Sequence, residues 1–444
     1  MGAIIRRIRP AQGVALGFLA AIAVGTVLLA LPICREGPGG APVGTALFTA
    51  TSAVTITGLS VVDTATYWTP GGQVVIMVLM QVGGLGVMSA TALLFLLVSR
   101  RLSMRSRLLA QAETSVQGPG EVRRVLLAVA GLTLVVESVA ALLLAVRFWI
   151  GGDSLPTSLW YGSFHAVAAF NNAGFSLFSD NLVGYAGDAW VCGVIALAII
   201  IGGLGIPVLA DLVRRPRAPR RWTMHTKLTL VTTAALIVFG AAAVLIFEWG
   251  NSRTLGALDV QGRLVAGVFQ GITPRTAGFN SVNYGDMREE TLMVTDFLML
   301  VGTGSVSTGG GIKVTTLCVL VLAAVAATRG SQNVQVFGRR IPEVSQRQAL
   351  AITVLATGAV AVSTLALVAM TDLGLSPLLF EAISAIGTAG LSTGITGGLP
   401  GAAQGVLIVL MIIGRVGPQV LGAALVLRER ERRFTYPEER PIVG

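Results

Sequence analysis

Thr55-Ile56-Thr57-Gly58-Leu59-Ser60 is one of four related stretches in this chain. The others are Asn171-Asn172-Ala173-Gly174-Phe175-Ser176, Arg275-Thr276-Ala277-Gly278-Phe279-Asn280 and Gly387-Thr388-Ala389-Gly390-Leu391-Ser392. Their central glycines are 116, 104 and 112 residues apart. Each stretch follows a short, partly polar helix candidate, beginning near Thr45, Thr157, Gln261 and Pro377. At about 10 to 14 residues these helices are too short to cross ~30 Å of hydrocarbon, so they are expected to be re-entrant. A phenylalanine precedes the glycine by ten residues in three copies (Phe48, Phe164, Phe380) and by nine in the third (Phe269).

The surroundings of these stretches are apolar. Of 444 residues, 53% are hydrophobic and 12% charged, and mean hydropathy is +0.77, far from a soluble composition. Apolar runs cover Val14–Ile33, Val74–Val98, Val125–Ile150, Ala189–Val213, Thr226–Phe247, Leu292–Val301 with Val314–Ala327, Ile352–Met370 and Val406–Leu427. Runs of this length predict eight crossings. The first follows a basic start but no convincing small-residue cleavage site, so it is expected to be retained. The expected fold class is an all-α polytopic membrane protein, a single transmembrane domain over residues 1–444 with no soluble domain. Four repeats of helix, re-entrant helix and helix are expected near 10–100, 121–215, 222–330 and 345–430, around one central pore.

Charge sets the orientation. Of 32 Lys and Arg residues, 24 fall in the N-terminus, three alternate loops and the C-terminus, including Arg6, Arg105, Arg217, Arg340 and Arg430. The other loops carry few basic residues, and hold Asp63, Asp153, Asp180, Asp188 and Asp372. The excess of basic residues on one side predicts cytoplasmic termini. The net charge of +10 is explained by topology and anionic lipid rather than by nucleic acid. Cys34, Cys192 and Cys318 are far apart, and His165 and His225 are isolated, so neither a disulfide framework nor a metal set is predicted.

Irregular backbone at membrane depth survives only where protein buries it or water lines it. Four glycine stretches around one axis meet that condition, and glycine opens backbone angles that let successive carbonyls point one way. Such carbonyls can replace the hydration shell of a cation. The candidate ion-binding residues are therefore Thr55, Ile56, Thr57, Gly58; Asn171, Asn172, Ala173, Gly174; Arg275, Thr276, Ala277, Gly278; and Gly387, Thr388, Ala389, Gly390. No carboxylate lies within these four segments, which argues against a calcium-type filter. Asp63 and Asp180 follow the first two glycines closely, either as cation-concentrating mouth residues or as ordinary solvated acids.

The second long helices carry small-residue motifs: Gly83-Gly84-Leu85-Gly86, Gly202-Gly203-Leu204-Gly205, Gly309-Gly310-Gly311-Ile312-Lys313 and Gly414-Arg415-Val416-Gly417-Pro418. Close helix approach explains these better than ion contact does. In the third repeat the helix is interrupted by Gly302, Thr303, Gly304, Ser305, Val306, Ser307, Thr308, Gly309, Gly310 and Gly311. This run is too flexible for a regular membrane helix. It is read as a gate loop across the pathway or, alternatively, as a passive kink, and Val306 is its bulkiest member. Arg415 in the last apolar helix and Lys313 beside the broken run are costly within a membrane. They suit a barrier or gate latch, with a structural clamp as the alternative.

Together with Gln81-Val82-Gly83-Gly84-Leu85-Gly86, these motifs resemble the Trk/Ktr/HKT superfamily of potassium transporters over essentially the whole chain. With no extra N-terminal helix pair expected, the chain is more similar to the Ktr membrane subunit (KtrB type) than to TrkH. The resemblance implies four helix–pore helix–helix units around one potassium pathway, with filter glycines at Gly58, Gly174, Gly278 and Gly390. Glycine rather than serine at position 58 implies potassium over sodium. The run from Gly302 to Lys313 corresponds to the family's intramembrane gate, and Arg415 to its arginine below the filter. The resemblance further implies a homodimer on a KtrA-like cytosolic ring of nucleotide-binding subunits. Basic loops around Arg101–Arg124, Arg214–Arg221 and Arg329–Arg347 are candidate docking surfaces. No covalent cofactor is expected. This chain has no dinucleotide fingerprint of its own, so ATP, ADP or NAD would act only through that partner. Sodium is open as a coupling or activating ion. A secondary transporter with alternating access remains the competing reading. No nucleophile–base pair, ligand set or acid pair suggests an intramembrane enzyme.

Overall fold

The computed structural model describes residues 10–101, 119–331 and 333–427. The basic N-terminus (Arg6, Arg7, Arg9), most of the 101–124 segment and the C-terminal arginines from Arg428 lie outside the described residues. The described residues are mainly helical, joined by turns and loops, with one short hairpin pairing Gln335–Val336 with Arg339–Arg340. The longer helices are α1 (Pro10–Leu29), α2 (Val43–Thr55), α3 (Pro70–Arg101), α4 (Pro119–Ile150), α5 (Leu155–Phe170), α6 (Ala189–Leu204) and α7 (Ile206–Arg214). They continue with α8 (Met224–Glu248), α9 (Val260–Ile272), α10 (Glu289–Leu300), α11 (Val314–Thr328), α12 (Glu343–Met370), α13 (Leu375–Gly387) and α14 (Gly401–Leu427).

The distribution of side chains is that of a membrane protein. Leu134, Val238, Val362 and Leu365 are between 66% and 71% exposed, whereas Thr49, Thr51, Ser52, Thr276 and Glu381 are fully buried. Among the described residues, Leu127–Ile150, Met224–Glu248 and Glu343–Met370 are long and apolar enough to cross a bilayer. The other long runs include shorter apolar helices such as Gly13–Leu29, Pro70–Gly86 and Gly401–Gly417.

One expectation needs correction. The run Ala189–Val213, read as one crossing, is two helices bent by 101°. Gly205 breaks it, with φ +88°, and Pro207 stands in the first turn of α7. A proline lacks the N–H that would continue the ladder of α6. The bend also receives a loop from far along the chain, as described below.

Each short helix (α2, α5, α9, α13) packs on the long helix before it, and each also packs on a long helix from elsewhere in the chain. α3 meets α5, α6 meets α9, α10 meets α13, and α14 returns to α2. These contacts form a closed cycle, so the ends of the four short helices face a common axis. Side-chain caps help start two of them: Ser154 accepts from Thr157 N–H for α5, and Asp259 from Gly262 N–H for α9.

Candidate functional site

The four glycine stretches leave their short helices in the same way. In each, the residue two before the glycine has left-handed backbone: Ile56 (φ 49°), Asn172 (57°), Thr276 (65°) and Thr388 (50°). The glycines are also at positive φ: Gly58 (92°), Gly174 (69°), Gly278 (75°) and Gly390 (80°). The intervening Thr57, Ala173, Ala277 and Ala389 are not. Alternation of this kind turns successive carbonyls toward one side. Three of the four left-handed non-glycine residues are β-branched, the type least suited to that region. Such strain persists only where the surroundings impose it, and it clusters at functional sites.

The glycines close a ring. A Cβ on Gly58 would lie 2.5 Å from Ala173 O, one on Gly174 2.9 Å from Ala277 O, and one on Gly278 3.0 Å from Ala389 O. A Cβ on Gly390 would strike Thr57 O. Each bare glycine therefore abuts the carbonyl one residue before the next glycine, in the order 58, 174, 278, 390 and back to 58. No side chain fits at any of the four.

The side chains of the candidate segments divide. Thr55 Oγ1 donates to Thr51 O at 2.7 Å and lies 2.8 Å from Thr57 Oγ1. Asn171 donates to Gln81 Oε1 (2.7 Å) and Glu137 Oε1 (3.0 Å), away from the ring. Arg275 reaches Thr233 through Nη1 and Nη2 at 3.5 and 3.4 Å. At these three positions the side chain serves the scaffold and leaves only backbone for the axis. Thr388 Oγ1 is buried without a partner.

A cavity of about 550 Å³ lies on one side of the ring, lined by all four glycines together with Asp63, Asp180, Asn280 and Ser392. The interrupted run occupies the other side. Added Cβ atoms on Gly309 and Gly310 would meet the hydroxyls of Thr276 and Thr388 respectively, and one on Gly311 would lie 3.2 Å from Gly387 O. The run is an ordered loop. Gly302 N–H donates to Ile312 O at 2.8 Å, Val314 N–H to Thr303 O at 3.1 Å, and Ser307 Oγ to Gly304 O at 2.6 Å. Thr303 Oγ1 pairs with Ser307 Oγ, and Ser305 Oγ with Thr315 Oγ1.

The loop is docked on the α6–α7 bend. Gly304 N–H donates to Gly203 O, Thr308 N–H to Gly202 O, and Ile206 N–H to Val306 O. Val306 is left-handed, with φ 58°. Two cations hold the loop from the other direction. Lys313 Nζ donates to Gly309 O at 2.6 Å and lies 3.5 Å from Gly310 O. Arg415, 1% exposed, donates from Nη1 to Thr308 O and from Nη2 to Gly83 O at 3.4 Å.

The glycines of the second helices pack on the short helices. A Cβ on Gly83 would strike Val54 O, one on Gly202 Phe170 O, and one on Gly414 Ile386 O. Each of these carbonyls lies four residues before a ring glycine. Sequence reasoning missed both the bend at Gly205 and the left-handed residues before each glycine.

Fold and site together define a helical membrane protein in which four strained backbone segments meet between a cavity on one side and a docked loop on the other. The chain matches the TrkH family, described as cation transport proteins, over residues 39–430, and it belongs to that family. It is 39% identical to the Ktr system potassium uptake protein B of Bacillus subtilis over 99% of this chain and 97% of the relative. It is 37% identical to the protein of the same name from Vibrio alginolyticus, over 97% and 94%. Identity to the potassium/sodium uptake protein NtpJ of Enterococcus hirae is 34%, over 99% and 98%. Among solved structures, the potassium transporter TrkH from Vibrio parahaemolyticus superposes with a TM-score of 0.74 at 16% identity, covering 95% of this chain and 86% of the other. The family consists of ion transport proteins, not enzymes.

Proposed function

We propose that this chain is the membrane subunit of a bacterial potassium uptake system, passing potassium through the ring at Gly58, Gly174, Gly278 and Gly390. The ring itself carries the reading: four glycines each pressed on a neighbouring carbonyl, with the side chains of Asn171 and Arg275 turned into the scaffold. Backbone carbonyls bind a weakly hydrated cation without trapping it as a carboxylate cage would. Hydroxyls of Thr276 and Thr388, which face Gly309 and Gly310, extend the oxygen lining on the loop side. The unit is a channel-like pore of four helix–re-entrant helix–helix repeats with eight crossings and cytoplasmic termini. The loop Gly302–Gly311 is its gate, with Lys313 and Arg415 as latches. Two copies form a homodimer on a cytosolic nucleotide-binding ring, docked through the basic loops. The relatives named for potassium uptake support the substrate, and the one named for potassium and sodium leaves a sodium role within the proposal.

The test is uptake of potassium, rubidium, sodium and lithium into liposomes holding the purified protein under an imposed potential. Potassium and rubidium flux well above lithium is expected. No selective flux, even with the cytosolic partner added, would transfer the substrate question to a secondary-transport mechanism.

A further inference from the structure

The residue directly after each short-helix phenylalanine is polar and fully buried: Thr49, His165, Gln270 and Glu381. Three of the four bond to the chain just beyond their own ring glycine. His165 Nδ1 lies 2.7 Å from Tyr161 O, which places the ring proton there. Its Nε2 then accepts from Leu177 N–H at 3.4 Å and stands 3.0 Å from Ser176 Oγ. Gln270, with its amide oriented to satisfy its network, accepts from the N–H groups of Ser281 (2.7 Å) and Val282 (3.1 Å) and donates to Tyr284 Oη (2.7 Å). Glu381 accepts from Ser392 Oγ at 2.5 Å and from Thr396 Oγ1 at 2.9 Å. Thr49 has no partner. In that repeat Ser52 Oγ instead accepts from the N–H of Gly58 itself, at 3.0 Å.

The near end of each segment is held differently, by the last turn of its helix. Thr57, Ala173, Ala277 and Ala389 donate to Ser52 O, Ala168 O, Thr273 O and Ser384 O at 2.7 to 3.0 Å. The polar residue behind the ring supplies the second anchor. Four carbonyls converging on one axis repel each other as dipoles, so the ring keeps its diameter only if both ends of every segment are fixed. Buried hydrogen bonds suit this role, because a donor or acceptor orphaned away from water is costly.

We propose that His165, Gln270 and Glu381 are positioning residues for ion selection, bracing three of the four ring segments at the spacing potassium needs. The inference rests on the reading of the glycine ring as a potassium filter. Chemically different side chains do one job in different repeats, so the third repeat's glutamine can replace either of the others. Glu381→Gln and His165→Gln retain an acceptor for the far side of the segment. Glu381→Ala and His165→Leu remove it.

The experiment compares the potassium-to-sodium flux ratio of these variants in liposomes at matched protein content. Glu381→Ala and His165→Leu should each lower the ratio roughly tenfold, while both glutamine variants stay close to wild type. Glu248→Gln serves as the control for general destabilisation. Glu248 is a buried acid bonded by Thr254, Thr291, Asn251 and Arg288 N–H, far from the ring residues in its contacts. It should lower thermal stability and leave the ratio intact. If Glu381→Ala does not reconstitute, Ser392→Ala removes the same bond from its other end and should lower the ratio likewise. A selective wild type beside an equally selective Glu381→Ala or Ser392→Ala would overturn the braces alone. So would glutamine variants as impaired as the apolar ones. A wild type with no potassium preference would overturn the filter reading beneath them.

Discussion

Arg415 and Thr308 are 107 residues apart in sequence, yet the buried guanidinium donates directly to the Thr308 carbonyl. Nη2 of the same group reaches Gly83 O, Nε has no partner, and no carboxylate pairs with it among the described residues. A buried charge without a counter-ion is tolerated only if other groups satisfy it. Here those groups are carbonyls of the loop and of α3, so burial of the arginine and the docked position of the loop support each other.

Removing the guanidinium should therefore release the loop. Arg415→Ala is expected to raise potassium flux, on the order of tenfold, since one charge-assisted bond is lost. Arg415→Lys keeps the charge but not the two-pronged geometry, and should fall between. Rubidium uptake into liposomes reads both. Flux at or below wild type in a folded Arg415→Ala protein would mean that the arginine clamps structure without restraining ions.

Gly58→Ser tests the ring. The new Cβ would sit 2.5 Å from Ala173 O on a backbone with φ +92°, so the first segment must shift and the ring must widen or skew. Potassium preference over sodium should drop while sodium flux persists. An alternating-access carrier, which does not select through this ring, would show little change in the ratio.

Much of this site was readable because it is written in glycine, whose absence of a Cβ is visible in any sequence. The four ring positions, the broken run at 302–311 and the buried Arg415 all announce themselves as unusual residues in apolar surroundings. Other parts were hidden for definite reasons. Ile56, Thr276 and Thr388 are left-handed although their residue type argues against it, so local preference pointed the wrong way and tertiary packing prevailed. The bend at Gly205 lies inside an unbroken apolar run, and hydropathy does not register a change of direction. The available signal was Pro207 two residues later. What the bend receives, the carbonyl of Val306, comes from 100 residues further along the chain. The four residues behind the ring were obscured because Thr, His, Gln and Glu share no side-chain chemistry; the preceding phenylalanine is what aligns them.

Val306 offers a test of the loop that leaves both cations untouched. Its φ of 58° is expensive for a β-branched residue and free for glycine. Val306→Gly should keep the loop docked, with flux at or below wild type. Val306→Pro fixes φ near −65°, which is incompatible with the docked loop and with the bond from Ile206 N–H to its carbonyl. That variant should raise flux. If glycine and proline gave the same flux in folded protein, the conformation of this residue would have no bearing on the pathway.

The cavity over the glycine ring makes the last prediction. Asp63 and Asp180 line it with the ring glycines, and no lysine or arginine does so among the described residues. Two carboxylates in a concave mouth raise the local cation concentration. Asp180→Asn should lower initial potassium flux severalfold at low ionic strength, and the loss should vanish near 1 M salt, where the screening length is about 3 Å. Asp180 accepts from Gly184 N–H at 2.9 Å, a local bond that an asparagine oxygen can keep, whereas Asp63 has a wider task. It accepts from Ala65 N–H and Thr66 Oγ1, and from Ser179 Oγ at 2.6 Å, which ties the segment after Gly58 to the segment after Gly174. Asp63→Asn weakens that tie as well as removing charge, so part of its loss should survive high salt. Flux measured against salt concentration separates the two acids: a fully screened deficit at both positions would reduce Asp63 to a charge, and a deficit insensitive to salt at Asp180 would remove the electrostatic role altogether.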